Sequence, residues 1–350
     1  MTKKSTNTDE TKQTHIDGNQ NVITDTFGRK HNYLRISLTE RCNLRCTYCM
    51  PEDGVQLSPK SHIMTYEEIY TIAKAFVELG VDKIRLTGGE PLVRKDVGLI
   101  MEKLASLPIT LTMTTNGVIV DRFIDQFKKC GITSLNVSLD SLDATKNKGI
   151  TRRSYFEKVY QNILLLVKEG FHVKVNCVLM KGFNDDEIID FIKLSKDNPI
   201  HVRFIEFMPF DGNRWNIDQM VSLQEILAEV HSNYSNEEII KCADAPNDTT
   251  KTYQIKGYQG TFAIISSVTN PFCDGCNRIR LTANGHIKNC LFSTKESDLL
   301  NPLRKGESII PVVQNAIKTK LKIRNGMDTL EKFNQTDKHT NNRSMITIGG

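Results

Sequence analysis

The sequence predicts an α/β fold: a partial (βα)6 TIM-like barrel followed by a smaller C-terminal region. Three observations lead there. Six short apolar, β-branched runs recur between Tyr33 and Met208, the stretches between them carry the apolar spacing of helices, and several of those stretches stop at a glycine. The runs are Tyr33 to Leu38, Lys83 to Thr87, Thr110 to Thr115, Ser134 to Leu139, His172 to Leu179 and Val202 to Met208. Strands joined by helical crossovers lie parallel. Six units are too few to close an eight-stranded barrel, so the sheet is expected to stay open, with its chemistry at the C-terminal strand ends.

Taken in order, residues 1–25 are rich in Lys, Thr, Asn and Asp with almost nothing apolar, and are expected to remain a disordered extension. Residues 26–210 form the barrel and 211–350 the C-terminal region. Between the first two runs, Thr65 and Glu68 have the spacing of a capping box. Ile69, Ile72, Ala73, Phe76 and Leu79 then share one helical face, and Gly80 ends it. Asp121 to Cys130 reads as a helix stopped by Gly131, and the next helix stops at Gly170. After Met208 the rhythm changes to an amphipathic stretch at Leu223 to Val230, a low-signal loop over 236–250, and a strand-like Thr261 to Val268.

Composition excludes some function classes. Lys plus Arg total 46 against 41 acidic residues; this +5 is too small to single out nucleic acid and suits an anionic small substrate equally well. No run of about 18 apolar residues appears and the N-terminus lacks a signal-peptide stretch, so membrane spanning and export are unsupported and a cytoplasmic setting is expected. In that setting nine cysteines are metal ligands or free thiols rather than disulfides.

Cys42, Cys46 and Cys49 follow the first strand with the spacing C-x3-C-x2-C. A four-iron, four-sulfur cubane takes four thiolates, so three leave one iron open to an exogenous ligand; a zinc site short of its fourth ligand is the alternative. Thr87-Gly88-Gly89-Glu90-Pro91 ends the second strand, where paired glycines allow close backbone approach. Thr114, Ser138, Asp140 and Met208 end later strands on the same expected rim. Arg35, Arg85 and Lys174 sit inside apolar strands, where a charge is costly unless it meets an anionic ligand or pairs with a carboxylate such as Glu90 or Glu206.

A second trio, Cys273, Cys276 and Cys290, has the spacing C-x2-C-x13-C, with Asn284-Gly285 between as a two-residue hairpin signal. A regular hairpin centred there sets Cys290 opposite Ile279 and aims Arg278 and Arg280 at the other face, so a bulge or twist is needed if all three line one pocket. A zinc ribbon with His286 as fourth ligand is the competing arrangement. Cys130, Cys177 and Cys242 fall outside both patterns.

The first trio, with aromatic Tyr48 before its third cysteine, and the Gly-Gly-Glu-Pro segment together resemble the radical S-adenosylmethionine (SAM) superfamily. The second trio, Arg278-x-Arg280 and the final Ile348-Gly349-Gly350 resemble, within it, the GTP 3′,8-cyclase family of molybdenum cofactor biosynthesis. The resemblance runs from about Arg29 to Gly350. It implies two 4Fe-4S clusters, held by Cys42, Cys46 and Cys49 and by Cys273, Cys276 and Cys290. It implies SAM contacts at Tyr48, Gly89, Ser138 and Met208, and GTP contacts at Arg35, Arg85, Thr114, Lys174, Arg278, Ile279 and Arg280. It further implies that Arg278, Arg280, Gly349 and Gly350 take part in catalysis, as a tail entering the active site.

Implied partners are GTP as substrate, an electron donor such as flavodoxin or ferredoxin, and a downstream cyclic pyranopterin monophosphate synthase. A homodimer is compatible; no nucleic acid or membrane is expected. Two other readings compete: a radical SAM peptide-maturing enzyme with an auxiliary cluster, which usually carries more C-terminal cysteines, and a non-catalytic iron or zinc module.

Overall fold

The computed structural model describes residues 22–51, 54–335 and 342–349. Six strands, β1 (Tyr33–Ser37), β2 (Lys83–Thr87), β3 (Thr110–Thr115), β4 (Ser134–Ser138), β5 (His172–Leu179) and β6 (His201–Glu206), lie side by side in chain order and run parallel. The helices between them are α1 (Tyr66–Glu78), α2 (Val97–Ala105), α3 (Ile124–Lys129), α4 (Ala144–Thr151), α5 (Phe156–Lys168) and α6 (Ile188–Lys193). α1 opens on the reciprocal Thr65–Glu68 box and buries Ile69, Ile72, Ala73 and Phe76. Each large side chain of that face contributes about 1.5–3 kcal/mol by leaving water. Gly80 follows at φ +87°, where an added Cβ would stand 2.8 Å from Val22.

The C-terminal region extends the same sheet, so the division at residue 210 does not separate two sheets. After α7 (Leu223–Asn233), the strands β7 (Ile239–Lys241), β8 (Lys251–Ile255) and β9 (Thr261–Ile265) join beyond β6, with β9 parallel to it. On the opposite edge β10 (Arg278–Leu281) pairs parallel to β1, and β11 (His286–Lys288) and β12 (Ser297–Asp298) continue outward. Both edges of the six-stranded core would otherwise expose unpaired backbone groups. The helices α8 (Leu300–Arg304), α9 (Ile310–Lys318), α10 (Leu330–Phe333) and α11 (Met345–Ile348) follow.

Two further expectations need correction. Residues 22–25 belong to the fold, because Ile23 N donates to Leu79 O and both Ile23 and Asp25 are buried; residues 1–21 lie outside the described residues. The β10–β11 hairpin pairs Arg280 with Lys288 and Leu281 with Ile287, one residue out of the expected register. Thr282 and His286 close a three-residue loop in which Gly285 takes φ +74°, the conformation such loops need at their third position. A one-residue slip turns a strand over. Extending this register sets Cys290 opposite Arg278 rather than Ile279, which brings Arg278, Arg280 and Cys290 to one face without a bulge in β10.

Candidate active site

Alternate residues of the parallel strands point into the barrel, and their position along each strand sorts them between two adjoining cavities. The C-terminal strand ends line the first, of about 180 Å³, which holds Cys42, Cys46, Cys49, Tyr48, Gly88, Gly89, Thr114, Ser138, Asp140 and Met208. The N-terminal halves line the second, of about 380 Å³, which holds Arg35, Arg85, Lys174, Arg203, Arg278, Arg280 and the second trio, Cys273, Cys276 and Cys290. Asn176, Ile205, Met208 and Met345 line both. The two trios therefore stand toward opposite ends of one interior; a single rim does not collect them.

In the first cavity, Cys42 Sγ accepts from Leu44 N at 3.3 Å and faces Asn116 Nδ2 at 3.7 Å. The glycine pair serves the loop before Cys42: a Cβ on Gly88 would lie 2.8 Å from Thr39 O, and one on Gly89 2.5 Å from Arg41 O. Tyr48 donates its hydroxyl to Asp140 Oδ2 at 2.8 Å, and Val178 N donates to Asp140 Oδ1 at 2.9 Å. Burial pushes the Cys42 thiol up to about 11, and burial, the trio's other thiols and Asp140 raise Cys46 and Cys49 further. Burial also lifts Glu90 to about 7 and Asp140 to about 6.

The second cavity is cationic. Among the described residues nine lysines and arginines line it against one carboxylate, Asp248. The register puts Lys288, Arg280, Arg35 and Arg85 in a row across β11, β10, β1 and β2, with Lys288 ion-paired to Glu296 at 3.3 Å. Like charges on neighbouring strands repel. Burial, with Arg203 and Arg85 nearby, depresses Lys174 to about 8; burial and Arg85 depress Arg203 to about 9; burial and Arg278 depress Arg280 to about 10. Neither carboxylate considered as a structural partner reaches them. Glu90 accepts from Leu92 N, Thr115 Oγ1 and Asn116 N, and Glu206 from Leu223 N, Val268 N and the Thr269 backbone and hydroxyl. Arg85 donates to Tyr33 Oη at 2.5 Å and Met113 O at 3.0 Å.

Within the second trio, burial would raise Cys276, but Arg278 and Lys320 outweigh it and bring the thiol to about 6. Lys320 Nζ lies 3.4 Å from Cys276 Sγ, and Arg29 donates to Cys273 O at 2.9 Å. His286 is absent from the lining of this cavity; its Nδ1 faces Asn284 O at 3.1 Å, which removes the fourth ligand of a zinc ribbon. Among the described residues no three His, Cys, Asp or Glu side chains gather closely enough for a single metal ion. A cubane is a wider body whose thiolates sit on separate irons, so two thiol trios each facing a cavity fit it better than they fit zinc.

The tail runs into this interior. Ser344 Oγ donates to Cys49 O at 2.8 Å, Ile346 packs on Gly89, and Arg280 Nη1 donates to Gly349 O at 2.7 Å. Gly349 has φ +83°, and a Cβ there would stand 2.5 Å from Thr87 Oγ1. Gly350 lies outside the described residues. Two expected substrate contacts are placed differently. The Ile279 side chain is fully buried in the apolar core and pairs beside Leu34, so it presents no side chain to the cavity. Thr114 lines the cavity of the first trio instead of the cationic one. Sequence reasoning passed over Arg203, although it carries the same signal as Arg35, a charge inside an apolar strand. Lys320, Arg29, Lys83 and His201 carry no comparable signal.

The Radical SAM superfamily matches residues 36–195 and the Molybdenum Cofactor Synthesis C family residues 200–327. The chain is 47% identical over 335 residues to the mitochondrial GTP 3′,8-cyclase of Arabidopsis thaliana, covering 94% of this chain and 84% of that protein. The chain belongs to the GTP 3′,8-cyclase family. A bacterial member, GTP 3′,8-cyclase of Peptoclostridium acidaminophilum, is 45% identical over 307 residues, with 86% of this chain and 93% of that one covered. Human molybdenum cofactor biosynthesis protein 1 is 45% identical over 93% of this chain, which spans 51% of that longer protein. Family members are radical SAM enzymes of molybdenum cofactor biosynthesis. Streptococcus suis SuiB shares the fold, with a TM-score of 0.61 at 15% identity over 83% of this chain and 67% of that one. That likeness carries fold alone, and so lends nothing to the peptide-maturing alternative. Among the described residues no helix is long and apolar enough to cross a membrane.

The residues present fit the groups this family implies. Buried polar atoms without a protein partner point to ligands: Thr114 Oγ1 in the first cavity, Asn176 Oδ1 between the two, and Arg203 Nε and Nη2, Arg278 Nη2 and Asn136 Oδ1 in the second.

Proposed function

We propose that this chain converts GTP to 3′,8-cyclo-7,8-dihydro-GTP, with SAM and one 4Fe-4S cluster at the first trio and a second 4Fe-4S cluster at the second. One observation carries the reading: a row of cations, costly to bury, lies in the cavity of the second thiol trio, which adjoins the cavity of the first. A triphosphate neutralises such a row through charge-assisted hydrogen bonds, which guanidinium groups make in pairs. When bound, the reduced first cluster and SAM would supply a 5′-deoxyadenosyl radical able to take the ribose 3′ hydrogen.

The chain's own residues do the placing. Arg35, Arg85, Lys174, Arg203, Arg278 and Arg280 hold the phosphates and so fix the sugar between the cavities. Tyr48, braced by Asp140, and the Gly88-Gly89 turn shape the SAM side. The tail helix α11 fills the space beside Gly89 and keeps water from the reacting sugar. The reading extends to a flavodoxin or ferredoxin as electron donor, a cytoplasmic setting, and a downstream synthase that takes up the cyclised nucleotide.

Anaerobic, iron- and sulfide-reconstituted protein given dithionite, SAM and GTP should form 5′-deoxyadenosine and the cyclised nucleotide in equal amounts. Deoxyadenosine without GTP consumption would show that the substrate is another molecule.

A further inference from the structure

We propose that the surface around α4 is the docking face for an acidic one-electron carrier protein that reduces the first site. The inference rests on reading Cys42, Cys46 and Cys49 as the holders of a one-electron acceptor. α4 is tied to their loop by two backbone hydrogen bonds, Arg45 N to Thr151 O and Thr47 N to Ile150 O, each 3.0 Å. Thr151 and Tyr155 line the same cavity as the three thiols, and Tyr155 is 41% exposed. Here a residue that lines the thiols' cavity also reaches solvent. Electron transfer weakens steeply with distance, so a carrier acts best where the wall is thin.

The outer face has the composition of an interface. Phe183, also 41% exposed, stands over α4, its ring 3.4 Å from where a Cβ on Gly149 would sit. Exposed aromatics beside arginines mark binding surfaces more than ordinary solvated ones. Lys148 and Arg153 are exposed and Arg45 and Arg152 half-buried. Their neighbours Lys146 and Lys158 are neutralised by Asp186 and Asp121, whereas these four lie outside every ion pair among the described residues. Two exposed rings among four uncompensated cations complement a negatively charged protein and would speed its encounter. In the step itself the reduced carrier gives up one electron and is oxidised by one, the first site gains it, and no atoms change hands.

The test uses the full, reconstituted chain and the double variant Lys148→Glu/Arg153→Glu, with flavodoxin as probe. Calorimetric affinity for flavodoxin should fall roughly tenfold or more in the variant at low salt, and the wild-type affinity should itself fall as salt is added. Flavodoxin-driven 5′-deoxyadenosine formation should drop in parallel while the dithionite-driven rate holds. Equal flavodoxin affinity in both proteins overturns the docking face, whatever the chemistry does. A wild type that makes no deoxyadenosine even with dithionite overturns the reading of the site, a separate failure. If the double variant also loses its dithionite rate, Phe183→Ala decides: weakened flavodoxin binding with an intact dithionite rate supports the face, and unchanged binding refutes it.

Discussion

The two cysteine trios offer the same donor set in settings that differ chiefly at one thiol, Cys276. Cys42, Cys46 and Cys49 are half-buried beside Asp140 and Glu90, and all three thiols are pushed up. Cys273, Cys276 and Cys290 are half-buried beside Arg278, Lys320 and Arg324; burial pushes Cys273 and Cys290 up as well, but Arg278 and Lys320 pull Cys276 down to about 6. Net charge and hydrogen bonds at the sulfurs set the potential of an iron-sulfur cluster. On the proposed reading the first site takes up the electron and the cation-flanked second site holds an anion.

Emptying each trio tests that division most severely. Replacing Cys42, Cys46 and Cys49 by Ala should reduce 5′-deoxyadenosine formation to background. Replacing Cys273, Cys276 and Cys290 should leave deoxyadenosine but abolish the cyclised nucleotide. Product analysis by chromatography checks both, and a second-trio variant that loses both products would erase the distinction. Next in size, Arg203→Ala removes a buried donor from the cationic cavity. At about 1.5–3 kcal/mol for a hydrogen bond to a charged group, GTP affinity should weaken roughly 10- to 100-fold with SAM affinity unchanged. Equal GTP titrations would place the phosphates elsewhere.

Lys320→Met removes the ammonium 3.4 Å from Cys276. Iron retention by the second trio should fall roughly tenfold under chelator challenge, with the first trio unaffected. A loss shared by both would mean a general folding defect. The smallest effect comes from pH. Burial, Arg203 and Arg85 lower Lys174 from 10.5 to about 8, and a bound polyanion would reverse that shift. GTP binding therefore takes up a proton, and affinity should decline as pH rises through 8. The ligand-free fold has the opposite sign. Its depressed amine binds fewer protons than the unfolded chain between 8 and 10.5, so this group's penalty on stability shrinks as pH rises across that window. Affinity flat across pH 7–9 would detach Lys174 from the ligand.

Much of this was legible beforehand, for local reasons. β2, β3 and β5 lie at their expected bounds because each is a compact apolar run between turn residues. Thr65 and Glu68 set the start of α1 through contacts three residues apart. Both trios could be read because metal ligands cluster along the chain. The hairpin register could not: Asn284-Gly285 suits a two-residue turn, and only the pairing of Thr282 with His286 reveals the three-residue loop. That one-residue difference dissolved the expected conflict between Cys290 and the two arginines. It also leaves Ile279 in the core. Arg29 and Lys320 were out of reach for another reason, since their partners Cys273 and Cys276 lie 244 and 44 residues away. The extra parallel neighbours of β1 and β6 come from a region without βα rhythm, so the sheet outran its predicted boundary.

Iron and sulfide analysis of anaerobically reconstituted protein, paired with Mössbauer spectra, tests the central claim most directly. Two three-thiolate cubanes require about eight iron and eight sulfide per chain, with one iron in each cluster lacking a cysteine ligand. Alanine at Cys273, Cys276 and Cys290 should halve the total and leave the cluster of the first trio intact. Zinc at the second trio, or about four iron per chain in the unaltered protein, would contradict the account.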